Sequence, residues 1–281
     1  MRLVFSSLMF GSPSGRVYNF HLVLYFISFL FRKEMILMEL REVTLLNFDN
    51  TYQEQPQLSR VANEWIELQD IPGTNLYCSG QAWQKLTERI PEKTGRGITF
   101  IGNGNHHYVT YLFLQKFRQP FTLVLFDNHT DSQPLTGSKL LSCGSWVAEA
   151  LGNLPFLQKV FLVGTCSKSK AFPSRLKNKI VLWLNRQWDQ LVSAIPTEDI
   201  YISIDKDVLD RADAITNWDQ GNMRLSDLLE ALGRLIRRKK VLGVDVCGEL
   251  PVSPAEVWSH RNELKRNETA NLSILQQILS S

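Results

Sequence analysis

Cysteine is scarce in this chain of 281 residues: there are four, Cys78, Cys143, Cys166 and Cys247. No two form a Cys-x-x-Cys pair, which argues against a thiolate zinc site. Three lie in or beside apolar or Gly-rich runs, where a free thiol packs as a small hydrophobe. This usage predicts a reduced, cytoplasmic setting. Sixteen glycines and eleven prolines exclude a collagen-like or linker-like chain. No block is low in complexity, and 44% of residues are hydrophobic against 21% charged, so wholesale disorder is excluded. An excess of one charge is also missing. Arg2, Arg16, Arg32 and Lys33 against Glu34 account for the whole net charge of +3, and the remaining 27 basic and 27 acidic residues cancel. A neutral body offers no electrostatic footprint for nucleic acid. The basic cluster between Arg234 and Lys240 closes a helical pattern, where it complements the helix dipole.

A long hydrophobic run is lacking as well. The apolar stretch Val17–Phe31 has fifteen positions, interrupted by Asn19 and His21, whereas a membrane helix needs roughly 20. Arg32-Lys33-Glu34-Met35 follows it where a signal peptide would carry a small-residue cleavage site. Residues 1–37 therefore read as a leader: an upstream extension first, then a weak anchor or a signal. A polar, charge-balanced sequence begins at Met38, and residues 38–281 are expected to form one α/β domain, although roughly 150 residues per domain would allow two.

What the body does contain is alternation. Apolar, strand-like runs stand at Val43–Phe48, Gly97–Gly102, Phe121–Phe126, Lys159–Gly164, Ile180–Leu184, Ile200–Ile204 and Val241–Val246. Helical patterns stand near Leu58–Leu68 and at Gln81–Ile90, His107–Phe117, Trp146–Leu151, Leu225–Lys239 and Ala255–Leu279. The clearest is Leu225, Leu228, Leu229, Leu232, Leu235 and Ile236, spaced by helical repeats. Strands without polar alternation, separated by helices, predict a mostly parallel sheet covered on both faces, a three-layer α/β/α fold. In such sheets ligands bind outside the carboxyl ends of the strands.

Four strand ends carry chemistry. Asn103-Gly104-Asn105-His106-His107 follows one, Asp127-Asn128-His129-Thr130-Asp131 another, Asp205-Lys206-Asp207 a third, and Asp245-Val246-Cys247-Gly248-Glu249 closes the last. Any one alone could be a helix cap or a solvated loop, but four together predict a site. Residues i, i+2 and i+4 of an extended chain face one side, so each group aims its side chains at one point. Clustered carboxylates repel one another unless a cation neutralises them. Asp oxygens with imidazoles suit one or two divalent ions of the manganese type. Two ions about 3.5–4 Å apart would acidify a shared water.

Three of these segments resemble the metal motifs of the ureohydrolases (arginase, agmatinase and formimidoylglutamase), in the same chain order and each after a strand. The motifs are Gly104-Asn105-His106-His107, Asp127-x-His129-x-Asp131 and Ser203-x-Asp205-x-Asp207, and the resemblance spans Ile98 to Pro251. It implies an arginase-like fold and a metal-dependent hydrolase of linear amidine or guanidino C–N bonds in small-molecule substrates. It implies two Mn2+ ions bridged by Asp127 and Asp205, with His107 and Asp131 completing one shell and His129 and Asp207 the other. His106 is the alternative to His107. His107 is favoured because Val109-Thr110 follows at the spacing of the family's Ile-Thr. Neither a nucleic acid nor a membrane is implied as partner, and a homo-oligomer is an option.

The sequence also departs from the family. Cys143-Gly144 stands where a proton-carrying His-Gly is expected, which leaves Cys143 as a packing residue, a proton carrier or a nucleophile. It is expected to face the metal pocket, its thiolate favoured by the helix starting near Gly144–Trp146. The family's guanidinium-gripping acid falls on Gly248, with Glu249 one position on, so a bulge must bring Glu249 inward or the clamp is missing. Asp131, Cys143 and Glu249 are the candidate catalytic residues. Asp210-Arg211 replaces an Asp-Pro, and Ser132-Gln133-Pro134 lacks arginase's amino-acid contacts. Two other readings stay open: a one-metal zinc deacylase like the histone deacetylases, and a non-catalytic metal-binding relative.

Overall fold

A computed structural model of the chain describes residues 41–133, 140–165 and 176–281. The expectations for residues 1–37, Pro134 and Cys166 lie outside the described residues. Among the described residues, ten strands and seven helices follow one another: β1 (Val43–Asn47), α1 (Pro56–Val61), β2 (Glu64–Glu67), β3 (Tyr77–Cys78), α2 (Gly80–Arg89), β4 (Ile98–Gly102), α3 (Val109–Leu114), β5 (Phe121–Phe126), β6 (Leu141–Ser142), α4 (Trp146–Asn153), β7 (Leu157–Val163), β8 (Ile180–Trp183), α5 (Trp188–Ala194), β9 (Asp199–Asp205), α6 (Leu225–Arg238), β10 (Lys240–Cys247) and α7 (Arg261–Ser280). Eight strands form a sheet in the order β2-β1-β4-β10-β9-β5-β7-β8. Every described pairing within it is parallel.

Both faces of the central strands are buried. Alternate residues such as Leu46, Ile101, Leu123, Leu125 and Tyr201 join a hydrophobic cluster with α2, α3 and α4. On α6, Leu228, Ala231, Leu232 and Leu235 are buried, and α6 packs beside β10, α5 and α7. Each fully buried leucine contributes roughly 1.5–3 kcal/mol, which explains why the runs carry no polar alternation. The basic cluster behind α6 is spent locally: Arg234 and Arg238 pair with Asp189, Lys240 pairs with Asp199, and Lys239 Nζ donates to the carbonyls of Ile195 and Thr197.

The structure corrects several element readings. The pattern near Leu58–Leu68 is not one helix. Helix α1 stops at Val61, and Glu64–Glu67 becomes edge strand β2, paired in parallel with β1. Backbone pairing to an exposed sheet edge overrides the local helical spacing. The helix expected from His107 occupies only Val109–Leu114, after a 3-10 turn at Gly104–His106. Helix α7 begins at Arg261 rather than at Ala255. Helix α5 and the two-residue antiparallel ribbon β3–β6 have no counterpart among the sequence-based elements.

Candidate metal centre

The four strands whose ends carry chemistry are consecutive neighbours in the sheet: β4, β10, β9 and β5. Their carboxyl ends converge, so residues 140 positions apart in sequence meet at one edge. From β5, Asp127 is 1% exposed and lies at the centre. His107 Nδ1 is 3.4 Å from Asp127 Oδ2, 3.1 Å from Asp131 Oδ2 and 3.4 Å from Asp205 Oδ2. His129 Nδ1 is 2.7 Å from Asp207 Oδ2 and 3.7 Å from Asp127 Oδ1. Two donor sets result, His107–Asp127–Asp131 and Asp127–His129–Asp207, and they share Asp127.

The backbone fixes these side chains. The His129 amide donates to Asp127 Oδ1 at 2.5 Å, the Asp207 amide to Asp205 Oδ1 at 3.0 Å, and the Asn128 amide to Asp207 Oδ1 at 2.9 Å. Asp131 sits at φ +45°, a left-handed conformation uncommon outside glycine and concentrated at functional sites. That turn presents Asp131 Oδ2 to the Trp146 indole, which donates to it at 2.7 Å. After β10, Gly248 has φ +87°, and a Cβ there would stand 2.5 Å from Asp205 Oδ1. Only glycine permits that approach.

His107 is held from behind. Ser203 Oγ donates its single hydrogen to Asp245 Oδ1 at 2.6 Å, and Tyr201 donates to Asp245 Oδ2 at 2.9 Å. Ser203 must therefore accept from His107 Nε2–H, 2.9 Å away. Once neutral, the imidazole would present the Nδ1 lone pair on the carboxylate side, the orientation that a metal-ligating histidine requires. His106 turns away. It stacks on Phe48 with ring centroids 4.0 Å apart and bonds to the Thr74 carbonyl, and burial pulls it down to about 4.

The electrostatics are those of a cluster short of positive charge. Burial, then Asp131, Asp207 and Asp205, push Asp127 well above the usual carboxylate range. Burial and Asp205 raise Asp207 to about 7. Burial alone would lower both histidines. Asp131 and Asp205 outweigh it at His107, and Asp207 outweighs it at His129, holding each at about 9. His107 Nδ1 and Asp127 Oδ2 are buried yet have no hydrogen-bond partner. Buried polar atoms left unsatisfied are costly. A cation between them would satisfy both and relieve the repulsion, so these residues fit a pair of divalent ions.

The centre opens into a cleft of about 220 Å³, with Asp131, Asp205, Asp207 and His129 on its floor and Tyr77, Cys143 and Trp218 on its walls. Cys143 lines the cleft, and in the absence of cations its thiolate is not favoured. Burial and then Asp131 and Asp205 push the thiol up to about 12. Helix α4 starts at Trp146, with Ser145 at its cap, and the backbone N–H groups of Cys143 and Gly144 only partly offset burial and the carboxylates. Glu249 does not reach the cleft. It is fully buried and paired with Lys206, and it accepts from Gln55 and Asn271 at 2.8 and 2.6 Å. The positive φ of Gly248 turns the chain so that Glu249 points behind the centre toward α7. Sequence reasoning missed Trp146 and the supporting role of Ser203 and Asp245. The Ser-x-Asp-x-Asp motif held the signal for Ser203, whereas nothing local to Trp146 reveals its reach to Asp131.

A family model described as the arginase family matches residues 39–256. An uncharacterized protein of Thermotoga maritima is 35% identical over 238 residues, 83% of this chain and 88% of that one. Among solved structures, formimidoylglutamase from Bacillus subtilis superposes with a TM-score of 0.62 at 15% identity, covering 85% of this chain and 87% of the other. The agmatine ureohydrolase of Thermoplasma volcanium gives 0.60 at 15% identity, covering 86% and 91%.

Proposed function

The chain belongs to the arginase family, and on that premise we propose that it hydrolyses linear amidine or guanidino C–N bonds with two divalent ions of the manganese type. The observation that carries the proposal is the pair of donor sets sharing Asp127, with His107 Nδ1 and Asp127 Oδ2 buried 3.4 Å apart and neither making a hydrogen bond. His107, Asp127, Asp131 and Asp205 would hold one ion, and Asp127, His129, Asp205 and Asp207 the other. When bound, the ions supply Lewis-acid activation of a water and of the planar carbon it attacks. Sharing of Asp127 between both sets favours this over a one-metal zinc deacylase.

The protein's own residues orient that chemistry. Trp146 fixes one oxygen of Asp131, leaving the other available to accept a proton at the cleft floor. Tyr77 and Trp218 are both exposed and offer aromatic faces on which a planar amidinium can stack. The small cleft suits a small molecule rather than a polymer. Because Glu249 is engaged with Lys206, substrate recognition falls to this aromatic rim, which counts against arginine itself. Among the described residues no helix is long and apolar enough to cross a membrane. Cytoplasmic residence remains part of the proposal, carried by the free thiols Cys78, Cys143 and Cys247.

The test is turnover by the Mn-loaded full chain on guanidines, linear amidines and formimino compounds, with urea, ammonia and formamide release followed together. The expected result is hydrolysis of at least one linear amidine-type compound, abolished in Asp127→Asn. A protein carrying two ions and turning over none of the panel contradicts the catalytic reading.

A further inference from the structure

A third set of donors lies in the same centre: His107, Asp205 and Cys247 each have a ligand atom within 4.8 Å of the others. We propose that Cys247 gives a thiolate ligand to the ion held by His107, so that this half of the centre is a mixed nitrogen, oxygen and sulfur site. The inference rests on the binuclear reading above and concerns which donors complete it.

Cys247 is the last residue of β10, in register with Asp205 of β9 on one side and with Gly102 of β4 on the other. It therefore sits between the two strands that deliver His107 and Asp205. Its side chain is fully buried, and Sγ donates to Asp205 Oδ2 at 3.2 Å. That same oxygen is 3.4 Å from His107 Nδ1, which is buried and has no hydrogen-bond partner. A buried thiol that only fills space has no need of a carboxylate, whereas this one bonds to Asp205 Oδ2 and lies within 4.8 Å of a ring nitrogen of His107. On ligation the S–H bond breaks, the proton leaves to solvent and a sulfur–metal bond forms, with no change of oxidation state. The other donor set, Asp127–His129–Asp207, contains no sulfur. Thiolates select zinc, cobalt or ferrous iron over manganese, so the two halves would differ in metal preference.

Cobalt(II) reads this directly, because a cobalt–thiolate bond gives an intense near-ultraviolet charge-transfer band that nitrogen and oxygen ligands do not. The metal-free full chain would be loaded with Co(II) alone, the bound cobalt counted and the spectrum recorded. Cys247→Ser and Cys247→Ala would be compared with Cys78→Ser, Cys143→Ser and Cys166→Ser. The expected result is two cobalt ions per wild-type chain with the band present. The band is lost in both Cys247 variants while at least one cobalt stays bound, and it survives in the other three. Two ions bound with no band in the wild type overturns the thiolate while leaving the binuclear reading intact. A band that persists without Cys247, or vanishes with Cys143, overturns it equally and assigns the sulfur elsewhere. Fewer than two ions in the wild type removes the binuclear reading on which the inference stands.

Discussion

Asp127 is the residue on which both donor sets depend, and its charge is the one that both ions would share. Asp127→Asn should therefore lose most of both ions, while Asp207→Asn should mainly weaken the one shared with His129, as elemental analysis of the dialysed proteins can show. Equal losses in the two variants would contradict the assignment. The pH dependence has a definite sign. Without metal, Asp207 is raised to about 7 and His107 and His129 to about 9, so protons compete with the ions for these groups. Ion binding should tighten as pH rises from 6 to 9 and should release protons, which calorimetry in buffers of different ionisation heat can check. That these side chains converge was legible in the sequence because i, i+2 spacing in extended chain aims side chains together. Glu249 was not, since its direction depends on the backbone of Gly248 rather than on its own identity. Cys247 ends an apolar run, where a free thiol packs as a small hydrophobe, and only the pairing of β10 with β9 places its sulfur against Asp205.

At the level of elements, the turn after β9, the end of β10, the segment leading into α1 and helix α7 are joined through one buried polar group. Lys206, Glu249, Gln55 and Asn271 are all fully buried and bonded to one another. Lys206 lies between Asp205 and Asp207, so this group braces the turn that carries both aspartates from behind. Removing one partner of a buried ion pair costs about 3–5 kcal/mol, whereas replacing both with apolar groups can be nearly neutral. Lys206→Met should therefore lower the unfolding free energy by about that amount, and Lys206→Met combined with Glu249→Leu should recover much of it. Denaturant titration of the metal-free protein measures both, and an additive double variant would show that the pair is not coupled. The long apolar strands and α6 were readable because burial on both faces imposes an unbroken or strongly periodic pattern. Strand β2 and the β3–β6 ribbon were not, because their pairing is set by distant backbone rather than by their own composition.

The molecule as a whole uses the edge of a parallel sheet to gather acidic and imidazole groups whose charges are tolerable together only with cations among them. Its neutral body fits a small-molecule substrate, and the ion pairs of Arg234, Arg238 and Lys240 leave little of the basic cluster for phosphates. The family match begins at residue 39, and a chain starting at Met38 should fold and bind ions as the full chain does. Loss of solubility in that shorter chain alone would make residues 1–37 part of the fold. The central claim is the binuclear centre, and the most direct measurement is the number of ions per chain after saturation with Mn2+ and removal of the excess. The structure leads us to expect two, with the count falling toward zero in Asp127→Asn. At most one tightly held ion in the wild-type chain would contradict the account.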